Sequence, residues 1–223
     1  GNCGSAEMSG QTTTLVRAGE ARRAAEVLGA TWHGSIGQDI ELVYGVPLLR
    51  KLVSVVRKVN PGVVLTHSPS DYMEDHTETC RLAVSAAFSK RVPNFRSDPP
   101  VQYAGEDVVV YHGMPNGLRD PLRKRVIPGA FVDTAAVMGE KRRALESHES
   151  QRSWLDSTQR EGSYVETMEM FSRELGGISG RFEHAEGWRR HLHWGFAMAD
   201  TDPLAEALGD HYLVNEGYEA DLG

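Results

Sequence analysis

Cysteine, long apolar runs and positive charge are all in short supply in this chain, and each shortage removes a class of function. Cys3 and Cys80 are the only cysteines in 223 residues. That argues against a disulfide framework and makes a reducing cytoplasm the expected location. No apolar stretch approaches the roughly 20 residues of a membrane-spanning helix, so no membrane partner is expected. The net charge of -7 argues against a nucleic-acid backbone as partner. Arg142-Arg143 and Arg189-Arg190 are short pairs suited to solvated faces. A Ser nucleophile elbow, a Walker A loop and a dinucleotide glycine fingerprint are also missing. Those gaps count against a serine hydrolase, a P-loop NTPase and a standard dehydrogenase. With no internal repeat and no linker, one domain over residues 1–223 is expected, with 200–223 forming a short helix and a tail.

What is present is ordinary for a globular α/β protein: 40% hydrophobic and 25% charged residues. A helix is predicted over 14–28, with Leu15, Ala18, Ala21, Ala25 and Leu28 inward and Arg17, Glu20, Arg22 and Arg23 outward. A short strand is expected over 30–36. The next helix, over 46–59, carries an apolar stripe of Leu48, Leu49, Leu52, Val55, Val56 and Val59, with Arg57 and Lys58 away from it. Asn60-Pro61 ends it, and a buried strand follows over 62–67. Helix, tight turn and apolar strand in this order suggest a parallel sheet with crossover helices. Further strands are predicted over 108–112 and 130–133. Further helices are predicted over 76–89, 134–146 and 164–175, the last broken by Gly176-Gly177. Residues 181–196, aromatic and basic, are expected to pack on the main domain.

The stretch THSPSDYMEDHTETC, Thr66 to Cys80, is the most informative in the chain. Asp75 with Glu78 makes a capping-box pattern, which puts His76 at the first helical position, beside the exit of a buried strand. Open α/β sheets place ligands and catalytic groups there. Asp71, Glu74 and Asp75 crowd around His76. A neutral imidazole ligates zinc, and a neighbouring carboxylate fixes its tautomer. Asp75 serves equally well as that carboxylate or as a helix cap. His76 and Cys80 lie i, i+4 and share a helix face, but Cys80 reads better as a small core hydrophobe. Of the nine histidines, His33, His112 and His211 read as structural or surface residues. His191 and His193 read as packing residues.

These motifs together resemble the LmbE-like, or PIG-L, zinc-dependent de-N-acetylases. The family's His-Pro-Asp-His motif is matched by Met73-Glu74-Asp75-His76. Its Arg- and Glu-bearing helix is matched by Arg17-Ala-Gly-Glu20 and Ala25-Glu-Val-Leu28-Gly29, and its Asp turn by Gly37-Gln38-Asp39. Its later blocks are matched by Lys141, Ala144-Leu145, His148-Glu-Ser150-Gln151 and His184-Ala185-Glu186-Gly187-Trp188. The resemblance implies a Rossmann-like three-layer α/β fold with a mostly parallel sheet. It also implies zinc-assisted hydrolysis of an N-acyl group on an amino-sugar conjugate. His76 becomes a zinc ligand, Asp75 the supporting catalytic carboxylate, and Arg17, Asp39 and His148 substrate contacts.

There are two departures from the family pattern. The Ala-His-Pro-Asp-Asp motif, which carries two further zinc ligands and the general base, has no match. The chain is therefore expected to lack the family's first β-α-β unit, to bind zinc weakly or not at all, and to self-associate through exposed apolar surface. The first His of the second motif is Met73, and a thioether donates no proton. Tyr72, His67 and His148 are the candidate replacement donors. Met73 also motivates the alternative of a degenerate relative that binds a sugar conjugate without hydrolysing it. An unrelated nucleotide-sugar enzyme would need a phosphate-cradling glycine loop, for which only the N-terminal Gly/Ser segment is available.

Overall fold

The computed structural model describes residues 1–152 and 164–223. In chain order the elements are α1 (Gly10–Val27), α2 (Val46–Val59), β1 (Val63–Thr66), α3 (Glu74–Ser89), β2 (Val109–Gly113), β3 (Ala130–Asp133), α4 (Met138–Glu146), α5 (Tyr164–Ser179), β4 (Ala185–Arg190), α6 (Pro203–Leu208), β5 (Tyr212–Val214) and α7 (Glu216–Ala220). They fall into two compact units, Gly1–Ile40 with Asp133–Ala185, and Glu41–Val132 with Glu186–Gly223. No helix of the described residues is long and apolar enough to cross a membrane.

In the first unit α1 packs on α4, and α4 on α5. Helix α1 starts earlier than its apolar pattern predicts because the Ser9 side chain caps it, accepting from the Thr12 amide. Its buried face is also not the predicted one. Thr13, Glu20 and Ala24 are buried, whereas Leu15 is 70% and Leu28 60% exposed. Glu20, expected outward, takes the Ser150 amide at 2.8 Å and its hydroxyl at 2.7 Å. A buried carboxylate is tolerated because both oxygens find donors. The strand expected over 30–36 does not form. Gly34 there sits at φ +88°, outside strand geometry. Gly176-Gly177 does not break α5, which runs on to Ser179. A Cβ on Gly176 would lie 2.4 Å from the Glu183 carbonyl oxygen, so this glycine admits a close backbone approach.

The second unit holds a five-stranded sheet in the order β1-β2-β4-β3-β5. Strands β1 and β2 pair in parallel from Val63↔Val109 to Thr66↔His112, joined by α3, which packs on both. The predicted helix-turn-strand logic holds for this crossover. Beyond it the sheet is mixed, not mostly parallel: β4 runs antiparallel to β2, and β5 antiparallel to β3. Antiparallel neighbours need no crossover helix, so no helical pattern announced them. The aromatic and basic stretch after α5 supplies β4 at the centre of the sheet. Residues expected as a tail supply the edge strand β5.

Helix α2 spans the predicted residues. Its Leu49 and Val53 meet Leu82 and Ala86 of α3 in one core cluster. A second cluster joins Ala87, Val108, Val110 and Phe196. Arg57, expected outward, is buried at 6% exposure. Its guanidinium donates to the carbonyls of Ser89 (3.1 Å), Lys90 (3.2 Å), Val92 (2.8 Å) and Val101 (3.0 Å). The last carbonyls of a helix have no intrahelical partner, and Arg57 supplies one to the end of α3. Replacing it by Leu strips these acceptors at once, so Arg57→Leu is expected to cost about 2–4 kcal/mol in urea unfolding. An unchanged midpoint would mean that water satisfies the same carbonyls.

Candidate active site at the exit of the first strand

Strand β1 ends at Thr66, and the chain turns sharply before α3. Ser68 closes the turn, its hydroxyl donating to the Ser70 carbonyl at 2.9 Å. Asp71 follows, its side chain 3% exposed. Its Oδ1 accepts from the Met73 amide at 3.0 Å and faces His76 Nδ1 at 3.0 Å. The first contact is an Asx turn, a local preference of Asp. The second reaches into the first turn of α3. Helix α3 begins at Glu74 with Met73 as N-cap and no side-chain cap. The expected Asp75–Glu78 capping box is therefore not formed. Asp75 instead lies in the first turn, where negative charge suits the helix dipole. Glu78 accepts from the Tyr44 amide and from Arg81.

An ionised carboxylate only accepts, so the Asp71 contact puts the His76 proton on Nδ1 and leaves the lone pair on Nε2. The His76 side chain is 33% exposed. One face stacks on the His67 ring, centroids 4.6 Å apart and planes 23° from parallel. Tyr72 stands edge-on at 6.0 Å. Burial lowers the His67 pKa, and the neighbouring His76 lowers it further against the opposing pull of Asp71, so His67 is neutral near pH 7.

Behind this pair His112, on β2, directs Nδ1 to the His67 carbonyl at 3.0 Å and Nε2 to His191 Nδ1 at 3.0 Å. Cys80 Sγ lies 3.4 Å from the same His112 Nδ1. Burial pushes the Cys80 thiol up to about 11, so it is protonated and a poor metal ligand near neutral pH. The expected core role of Cys80 matches its 2% exposure. Burial also lowers the pKa of His112 and His191. Their juxtaposition has no local signature, since they are 79 residues apart in sequence.

The other candidates lie in the first unit. Arg17 Nη1 reaches Asp39 Oδ2 at 3.4 Å, and Arg17 Nη2 donates to the Gly4 carbonyl at 2.8 Å. Asp39 Oδ2 also accepts from the amides of Asn2 (2.8 Å) and Cys3 (3.1 Å). Burial works to raise the Asp39 pKa, but the Cys3 and Asn2 amides and the Gly1 amino group bring it below the ordinary carboxylate value. An open cleft of about 600 Å³ nearby is lined by Asn2, Gln11, Thr14, Leu15, Ile36 and Gln38, among others. His148 stands just past α4, its carbonyl accepting from the Gln151 and Arg152 amides. Arg17 and Asp39 are thus brought together, His148 shares their unit, and Asp75 and His76 stand in the other.

Zinc fits this site only in part. His76 offers one oriented nitrogen, but no group of three or more His, Cys, Asp or Glu among the described residues could hold a metal ion. A catalytic zinc site needs about three protein ligands. Ring ¹⁵N shifts are expected to report the Nδ1–H form for His76, and Asp71→Asn to abolish that preference while Asp75→Asn leaves it. A wild-type Nε2–H form would refute the Asp71 assignment.

Residues 1–88, which include Arg17, Asp39, Asp71, Asp75 and His76, match the family model described as PIG-L, GlcNAc-PI de-N-acetylase. Diacetylchitobiose deacetylase of Thermococcus kodakarensis is 35% identical over 151 residues, 65% of this chain and 53% of that protein. The chain thus spans about half the length of that curated relative. Among solved structures, N,N'-diacetylchitobiose deacetylase from Pyrococcus horikoshii superposes with a TM-score of 0.63 at 21% identity, covering 90% of this chain and 72% of that one. The 4-carboxy-2-hydroxymuconate hydratase GalB of Pseudomonas putida gives 0.65 at 24% identity, covering 84% and 76%. At such identities the structures establish the fold alone, and it is the LmbE-like α/β fold with an open sheet. Residues 1–88 thus match the PIG-L (LmbE-like) family, and over 151 residues the chain is similar to diacetylchitobiose deacetylase.

Proposed function

We propose that this chain is the recognisable part of an enzyme that hydrolyses the N-acetyl amide of a small amino-sugar conjugate of the diacetylchitobiose kind. One observation carries the reading: a buried carboxylate, Asp71, locks His76 with its Nε2 lone pair free, inside the span that matches the family. The family resemblance makes zinc the group that His76 would help hold. When bound, zinc lowers the pKa of a coordinated water and polarises an amide carbonyl. His76 would supply one of its ligands, where a catalytic zinc site takes about three from the protein.

Asp71 sets the His76 tautomer. Asp75 adds negative charge in the first turn of α3, in the supporting role that the resemblance gives it. Arg17 and Asp39 form a donor-acceptor pair suited to sugar hydroxyls, and His148 is a third substrate contact by the same resemblance. The negative net charge favours a neutral or cationic small substrate over nucleic acid. Free Cys3 and Cys80 agree with a reducing cytoplasm.

One observation favours a second reading, a relative that binds the sugar without cleaving it. Met73, at the N-cap of α3, stands where the family has a proton-donating His. Incubation of the full-length protein with N,N'-diacetylchitobiose, zinc measured by plasma mass spectrometry alongside, decides between the two. Release of free amine and acetate is expected, with zinc falling to background in His76→Ala. Asp71→Asn is expected to lose about 10–100-fold in zinc affinity or rate. Saturable sugar binding without amine release would establish the second reading, and neither binding nor release would sink both.

A further inference from the structure

The β1–β2 ladder ends at Thr66↔His112, so His67 is the first residue that the sheet no longer holds. Its carbonyl is nevertheless taken, by the His112 ring at 3.0 Å. A carbonyl oxygen only accepts, so His112 carries its proton on Nδ1 and its lone pair on Nε2. That lone pair faces His191 Nδ1 at 3.0 Å, so His191 must be the donor there. One neutral arrangement satisfies both contacts, a head-to-tail chain running from His191 through His112 to the His67 carbonyl.

The surroundings fix this chain mechanically. His112 is 6% exposed. The His191 amide donates to the Val110 carbonyl at 2.8 Å, and its ring meets Phe196 edge-on at 5.1 Å. Downstream, the His67 ring is one wall of the His76 site. Asp71 holds His76 by its edge, and His67 holds it by its face.

We propose that His112 and His191 are positioning residues of the His76 site, acting through the His67 main chain as a side-chain extension of the sheet ladder. This rests on the reading of His76 as a functional residue. His112 takes the load-carrying contact, and His191 selects the tautomer that makes it. Neither touches substrate or reacting atoms.

The test uses the full-length protein and three variants, His112→Phe, His112→Gln and His191→Phe. In His112→Gln an amide N–H is available to donate to the His67 carbonyl, while both Phe variants keep an aromatic ring but no ring nitrogen. Proton and ¹⁵N ring spectra report the His67–His76 stack directly. Both Phe variants are expected to shift the His76 ring resonances and weaken the His67–His76 cross-peaks, with His112→Gln restoring both. Against N,N'-diacetylchitobiose, the Phe variants are expected to lose about 10–100-fold in kcat with little change in KM, the range seen for residues that support a site from behind. A purely packing role would lower the unfolding midpoint without moving the His76 resonances, and that result overturns the proposal. So would wild-type spectra in His191→Phe. If the wild-type protein releases no amine, the deacetylase reading fails, and the ring spectra still decide the positioning role.

Discussion

One buried carboxylate sets the geometry of the turn between β1 and α3. Asp71 holds the Met73 amide and the His76 ring with a single oxygen. It thereby fixes the turn after β1, the entry of α3 and the tautomer of the histidine on that helix. Burying an ionised group is costly unless donors meet it, and both donors are local to the turn. The cost is met by the same contacts that do the positioning. Support for His76 then continues outward, from the His67 ring to the carbonyl behind it and to the imidazoles of His112 and His191.

The same logic recurs where charged groups are buried in the second unit. Arg57 satisfies carbonyls at the end of α3. Lys90 donates to the Asn60 side chain at 3.0 Å and to the Pro61 carbonyl at 3.2 Å. Asn60 itself ends α2 in the left-handed conformation. Two cations thus tie the ends of α2 and α3 together by hydrogen bonds to backbone and amide oxygens, where an apolar contact would leave acceptors unpaired. The apolar clusters along the two helices provide the bulk of the packing.

The fold does not choose the reaction. The open α/β sheet is shared with solved proteins described as a deacetylase and as a hydratase. His76 lies within the span that matches the family, and Met73 stands at the entry of its helix. A thioether at that helix entry donates no proton. Burial lowers the pKa of His67, His112 and His191 and raises that of the Cys80 thiol.

Local chemistry made a good part of this legible. Helix α2 follows its 3.6-residue apolar stripe, β3 lies where its short apolar run sits, and His76 follows β1, which forms at its apolar run but is half-exposed, not buried as expected. Each depends on residues within one or two turns of each other. Other features were decided by distant neighbours. Glu20 and Arg57 carry charges on helix faces that the pattern turns outward, and only Ser150 and the end of α3 explain their burial. Asp71 rather than Asp75 meets Nδ1 of His76 because the Asx turn folds the loop back, a geometry that adjacency in sequence does not convey. β4, β5 and the His112–His191 contact join segments brought together by the sheet. Periodicity reports which residues share a face. Which face is buried, and which side chain meets which, depends on packing partners that lie far away in the chain.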